Sequence, residues 1–247
     1  MENNELIKRA EDLSSRCERG GSVTRTNFLT PAERYALENW AKLRGARVLF
    51  HGGRQECERT AAFFLPEWME EDGFDAAEHI KAIHLTAHFG APGHRDYLGA
   101  LLGMGVGREW VGDIWVRDSE AWIFCLPGVE RHLLTVEKVG RWGVTAESAE
   151  LAAVPPPMQE RKSVSFSVMS MRLDAVAAGM FHLSRTESAK QIALGSVSVN
   201  YAQTMKADLP VRPGDIISLR GAGKGTVTGT GGTSRKGRLF VYAEIYQ

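Results

Sequence analysis

The sequence is short of cysteine, short of proline outside one run, and empty of long apolar stretches. Only 3 cysteines and 9 prolines occur in 247 residues. Cys17, Cys57 and Cys125 lie far apart and form no C-x-x-C pair. That excludes a disulfide framework and a cysteine-rich zinc site of the usual spacing, and it fits a reducing compartment. No apolar stretch approaches the ~20 residues that a membrane-crossing helix needs. The opening Met1-Glu2-Asn3-Asn4-Glu5 is polar and acidic, unlike a secretory leader, so the expected location is cytoplasmic. Net charge is missing too, because 30 Lys+Arg are balanced by 30 Asp+Glu. With 43% hydrophobic and 24% charged residues, the composition is that of a folded globular protein.

Catalytic signatures are also lacking. No G-x-S-x-G elbow, H-E-x-x-H or dinucleotide G-x-G-x-x-G falls in a useful context. The string GAGKGT at 221–226 lacks the G-x-x-x-x-G-K-[ST] pattern that opens a helix, since Lys224 is followed by Gly225 and a β-like run. His84, His88 and His94 lie close in sequence, but no carboxylate or cysteine completes a ligand set at known spacing. The expectation is a protein that is not an enzyme and needs neither metal nor cofactor.

What is present is a hidden asymmetry of charge. Residues 1–160 carry a net charge of −7 and residues 161–247 a net charge of +7, divided near Pro155-Pro156-Pro157. An acidic body joined to a basic tail points to a polyanion partner; the bland alternative is a scattered, solvated basic face.

Local patterns divide the chain into three expected domains, 1–75, 76–157 and 158–247. In the first, Thr30-Pro31-Ala32-Glu33 reads as a helix start with a capping box, and Gly45 as its stop. A strand is expected at 47–50 and a second helix over 56–64. In the second domain, strands are expected at 80–88, 111–116, 121–126 and 150–154, with helices at 94–104 and 129–139. That β-α-β-β-α-β order is the ferredoxin-like plan. Gly99 and Gly103 read as small residues permitting close helix–sheet approach. Arg95-Asp96 reads either as a cap with a surface arginine or as a second contact to RNA or protein, and His51-Gly52-Gly53 with Arg59 is equally open. The third domain opens with a strand at 163–168. Two helices follow, the first starting at Arg172 and the second capped by Ser184 with Glu187 three residues on, with an expected stripe of Ala189, Ile192 and Ala193. The fold class is therefore α+β.

Several strings in the third domain are specific. RLD at 172–174, SR at 184–185, G-x-V-x-V-N at 195–200 and PGD-x-I at 213–216 resemble the RNA-binding module named after small-subunit ribosomal protein four, the S-four module. RLD also echoes the catalytic-Asp motif of pseudouridine synthases, but here it opens a helix of the module. Upstream, RDYLGALLGMGVGREWVGDI at 95–114, FHGGRQECER at 50–59 and FLTP at 28–31 resemble the signatures of the YlmH-like family. The likeness spans nearly the whole chain, with the motifs in the family's order.

That resemblance implies an N-terminal α/β domain, a ferredoxin-like middle domain and a C-terminal S-four module. It further implies a role in ribosome-associated quality control, with the module docking on rRNA of the large ribosomal subunit and on obstructed peptidyl-tRNA. Some members of the family are linked to cell division instead. The carried-over contacts are Arg172 and Arg185, at a helix N-terminus that offers Ser184, amides and a fork of donors to phosphate. Lys190, Gln191, Asn200, Arg220 and Lys224 are secondary contacts, and Arg235, Lys236 and Arg238 are expected to extend the patch. Asp174 is expected to orient its helix or pair with an arginine. Two other readings stand beside this one: a protein-interaction adaptor working through the acidic N-terminal domains, and an RNA-modifying enzyme that the module targets.

Overall fold

A computed structural model describes residues 2–157 and 161–246. Met1, residues 158–160 and Gln247 lie outside the described residues, and so does the expected domain junction at 157/158. The chain divides into two compact units, Met1–Met158 and Gln159–Gln247.

The first unit opens with α1 (Glu2–Gly20), whose Leu6, Ala10, Leu13 and Cys17 recur at helical spacing and so form one apolar stripe. The short strand β1 (Thr24–Arg25) leads to α2 (Pro31–Arg44). The start and stop expected for α2 are both present. The Glu33 amide donates to Thr30 Oγ1 at 3.3 Å, the Glu33 carboxylate accepts from the Thr30 amide at 2.7 Å, and Gly45 adopts φ 66°. Strands β2 (Val48–His51) and β3 (Ala61–Phe64) complete a sheet of order β1-β3-β2.

The helix expected over 56–64 is therefore a correction, because residues 61–64 form the central strand of this sheet. Ala62 and Phe64 face α1 and α2, while Ala61 and Phe63 face a second core. A strand buried on both faces shows no alternation and reads as a plain apolar run. Phe28, Cys57 and Phe63 in that second core pack with Ile80, Trp115, Trp122 and Phe124. Residues 1–75 and 76–157 thus share apolar packing across the boundary expected at 75/76.

A one-turn helix, α3 (Ala76–His79), precedes β4 (Lys81–Ala87), α4 (His94–Gly103), β5 (Val111–Arg117), β6 (Glu120–Cys125), α5 (Pro127–Leu133), β7 (Lys138–Val139) and β8 (Trp142–Ala149). The sheet order β5-β6-β4-β8-β7, antiparallel throughout, realises the ferredoxin-like plan with β7 added at the edge. Ile83 and Leu85 of β4 pack against Tyr97 and Leu101 of α4 and Leu133 of α5. Two boundaries differ from expectation. The helix read over 129–139 stops at Leu133, and the last strand is Trp142–Ala149 rather than 150–154, where Leu151–Ala153 is a 3-10 turn. Gly140 at φ 58° turns β7 into β8, and the polar face of β8 hid its alternation. Gly99 and Gly103 are a further correction, since a Cβ at either would meet open space and no close helix–sheet approach depends on them.

The second unit runs β9 (Arg161–Val168), α6 (Leu173–Met180), α7 (Arg185–Ala193), β10 (Val197–Val199), β11 (Ala202–Gln203), β12 (Ile216–Leu219), β13 (Gly223–Thr233) and β14 (Leu239–Tyr246). Its sheet has the order β11-β10-β12-β13-β14-β9, with every pairing antiparallel. Leu173, Val176, Ala177 and Met180 of α6 bury against Val227, Val241 and Ala243. Gly179 is where α6 meets β9, for an added Cβ would overlap the Phe166 ring. The buried side of α7 is Ser188 and Ile192 with Ala189 partly covered, while Ala193 is exposed, which corrects the expected stripe by one position.

Candidate nucleic-acid interface

Asp174 organises the start of both helices in the second unit. The residue is 5% exposed, and each of its carboxylate oxygens accepts from a different arginine. Arg172 Nε donates to Oδ1 at 3.2 Å, and Arg185 Nε donates to Oδ2 at 3.0 Å. Burial pushes the Asp174 carboxyl up, but the hydrogen bonds and positive charge of the two arginines outweigh it and hold the group below its ordinary value. Both guanidiniums are gripped at Nε, and among the described residues their terminal nitrogens have no partner. The arginine side chains stay 41% and 58% exposed, so two pre-oriented forks face solvent.

Ser184 caps α7, its Oγ accepting from the Glu187 amide at 3.1 Å. The expected capping box is only half made, because the Glu187 carboxylate takes Gln191 Nε2 at 2.8 Å instead of reaching back. Lys190 is exposed on α7, and Gln191 is tied to Glu187. Asn200 occupies a turn at φ 49°, donating to Asp215 Oδ1 at 2.8 Å and accepting from the Ile216 amide at 3.0 Å. Its amide is committed to the PGD turn.

Arg220 and Lys224 flank the turn joining β12 to β13, where Lys224 Nζ lies 5.4 Å from the Tyr246 ring centre. Arg235, Lys236 and Arg238 sit in the loop between β13 and β14, at the other end of an 11-residue strand. At ~3.3 Å per residue that strand separates the two groups by about 30 Å or more. The expected single extended patch is corrected to two basic loci.

The first unit holds its charged residues differently. Asp113 accepts from the Glu58 amide at 2.6 Å and the Arg59 amide at 3.1 Å, and burial pushes its carboxyl up. Arg59 and Arg108 donate to the carbonyls of Phe28, Val111 and Gly112, and burial brings the Arg108 pKa down to about 10. His51 Nδ1 accepts from the Gly53 amide at 3.0 Å. These contacts stitch residues 50–59 onto β5, which gives that string a structural role. Asp96 caps α4 through the Gly93 amide at 2.8 Å, leaving Arg95 exposed. His84 pairs with Glu120 at 2.9 Å and stacks on Trp122, whereas His88 bonds Thr145. Among the described residues no group of three or more potential ligands could hold a metal.

One end of the middle sheet carries a cluster that sequence reasoning missed. Arg141 lies 4.9 Å over the Trp142 ring, Gly90 at φ 73° fits beneath that ring, and Phe89 beside it is 62% exposed. The signal available was an aromatic after an arginine in a tight G-R-W-G turn.

Comparison with known proteins locates this fold. Residues 70–153 match the family model described as "Putative RNA-binding domain in YlmH". A curated relative, "Ribosome-associated protein quality control protein P2" of Bacillus subtilis (strain 168), is 28% identical over 220 residues, covering 89% of this chain and 86% of that protein. The chain is similar to YlmH-like proteins. A solved structure, "Cell division protein ylmH from Streptococcus pneumoniae", superposes with a TM-score of 0.53 at 18% identity, over 62% of this chain and 93% of that one. At that identity the likeness is one of fold. The matched segment covers β4 to β8 and the Arg141–Trp142 cluster, and it includes Arg95, whereas the contacts from Arg172 to Arg238 lie in the second unit.

Proposed function

We propose that this chain is a non-enzymatic RNA-binding protein of ribosome-associated quality control. Its C-terminal unit, read as an S-four module, docks on structured rRNA and tRNA of large ribosomal subunits that carry an obstructed peptidyl-tRNA. The observation that carries this reading is the Asp174 clamp, which aims two arginine forks outward beside the capped N-terminus of α7. Phosphate is the ligand that this arrangement fits, because backbone amides, the helix dipole and paired donors act together on an anion. The net charge of +7 over residues 161–247 supplies the long-range attraction. The family match over 70–153 and the name of the Bacillus relative supply the ribosomal context.

Recognition through these groups is by backbone and shape rather than by base sequence. Affinity should fall with salt, by about 0.7 to 0.9 in log K per log salt for each phosphate neutralised. The test is co-sedimentation of the purified protein with separated small subunits, large subunits and whole ribosomes, with Arg185→Ala alongside. Selective association with large subunits, weakened in the variant, is the expected result. Wild-type protein that pellets with no ribosomal particle refutes the reading.

A further inference from the structure

The sheet of the second unit has two unlike faces. Helices α6 and α7 cover the side lined by Val164, Phe166, Val241 and Ala243. Strand alternation sends the intervening residues the other way. On β14 these are Phe240, Tyr242, Glu244 and Tyr246, and their register partners on β9 are Ser167, Ser165, Ser163 and Arg161. Phe240 is 41% and Tyr242 46% exposed, although β14 is flanked by β13 on one side and β9 on the other.

The rings are held in place. Tyr242 lies over Gly231, where an added Cβ would come within 2.7 Å of its hydroxyl. The Tyr246 hydroxyl shares a 3.0 Å hydrogen bond with Thr226 Oγ1, and its ring stands between Arg161 and Lys224 at 5.5 and 5.4 Å. Alternate side chains on a strand stand about 7 Å apart, which spaces Phe240 from Tyr242, and Tyr246 follows about 13 Å further on with Glu244 between, so the three rings are separate faces along one row rather than a fused hydrophobic cluster. Their register partners on β9 are Ser167, Ser165 and Arg161, none of them aliphatic. The one carboxylate among the described residues of β9 and β14 is Glu244, which Arg161 meets at 3.4 Å.

We propose that this open face is a stacking platform for unpaired bases of an RNA strand. The occupant follows from charge: Arg161 and Lys224 stand at one end of the row, and the loop carrying Arg235, Lys236 and Arg238 stands at the other. A strand laid along β14 meets cations at both ends and aromatic faces between, the combination by which single-stranded nucleic acid is held without a sequence code. The platform also explains why the two basic loci lie apart. It rests on the RNA-binding reading above but uses the face opposite α6 and α7, and different chemistry.

The test measures binding of the full chain to a labelled short oligoriboadenylate and to an abasic ribose-phosphate oligomer of equal length. Tighter binding of the base-bearing strand is expected. Tyr242→Ala should weaken it roughly 5- to 100-fold with the salt slope unchanged, while Tyr242→Phe retains it. Should Tyr242→Ala fail to fold, Phe240→Ala, which has no glycine cradle to disturb, carries the same expectation. Equal affinity for the abasic strand, or unchanged affinity in the alanine variants, overturns the platform and assigns the row to a protein partner. Because co-sedimentation is not the readout, the platform can fail while ribosome association stands, and the reverse holds too.

Discussion

Asp174→Asn separates two physical accounts of the basic face. The substitution keeps shape and removes one negative charge from beside two arginines. If affinity for RNA were a matter of net charge, the variant would bind more tightly. The geometry argues the opposite, because the carboxylate fixes both guanidiniums by Nε and leaves their terminal nitrogens turned outward. Asparagine keeps one acceptor oxygen and turns an N–H group toward the second arginine. Both arginine side chains are about half exposed, so each lost bond sits near the surface range of ~0.2–1 kcal/mol rather than the buried one. With one buried amide left badly paired, the total is about 1–2 kcal/mol. For a unit of this size that lowers the melting temperature by roughly 5–15 °C. Binding then bears the cost of re-ordering two long side chains, ~0.5–1.5 kcal/mol each, which is on the order of 10-fold in affinity. Filter binding or anisotropy with a ribosomal RNA fragment, at one temperature below both melts and over a salt series, reads the result. Affinity that rises in Asp174→Asn would show that the clamp orients nothing.

Acid should act on the same group. Asp174 has a folded-state value below its unfolded one, so its stabilisation is complete above the ordinary carboxylate value of ~3.9 and is lost as pH falls through the lower folded value. Thermal melts should show a constant Asp174→Asn penalty above pH ~4 that shrinks as pH falls further below the ordinary carboxylate value; a penalty that stays constant there too contradicts this. Gly179→Ala gains up to ~1 kcal/mol of helix propensity, yet it drives a methyl into the Phe166 ring, so a net loss of about 1–3 kcal/mol is expected in urea unfolding. A stabilised variant would mean that β9 and α6 separate readily. Asn200→Ala removes both bonds to the PGD turn and replaces a residue that tolerates φ 49° by one that does so less readily, so it should cost about 1–3 kcal/mol in urea unfolding, where no loss would refute this. Its salt slope for RNA should not change, since the side chain already serves the turn.

The elements legible in the sequence were those with a local chemical cause. Thr30, Glu33 and Gly45 each mark a helix end by a bond or a backbone angle that neighbours alone determine. Ser184 is visible for the same reason, but the diversion of Glu187 to Gln191 is not, because either partner satisfies the same carboxylate. Strand β3 was misread because its burial on two faces is decided by distant chain, by α1 on one side and by Trp115, Trp122 and Phe124 on the other. The spacing Gly99-Gly103 resembles a packing motif, yet a β-carbon at either position would meet nothing. At the candidate interface the sequence yields the arginines and even the pairing role of Asp174. It hides the separation of Arg220 and Lys224 from Arg235, Lys236 and Arg238, since the two groups are close in sequence but a long extended strand holds them apart. The ring row on β14 was equally hidden. Which residues of an alternating strand face water depends on which face the helices take.

The pairing of β9 with β14 bears on how the protein is made. Arg161 lies opposite Tyr246, so the first and last strands of the second unit are register partners along their full length. A chain emerging in order from its own ribosome cannot close this sheet until β14 has left the exit tunnel. Until then β9 lacks its neighbour and β13 offers an open edge. Folding of the unit is therefore a late, all-or-nothing event with high contact order, not a gradual accumulation of structure. A nascent copy arrested before β14 would also lack the strand that carries Phe240, Tyr242 and Tyr246.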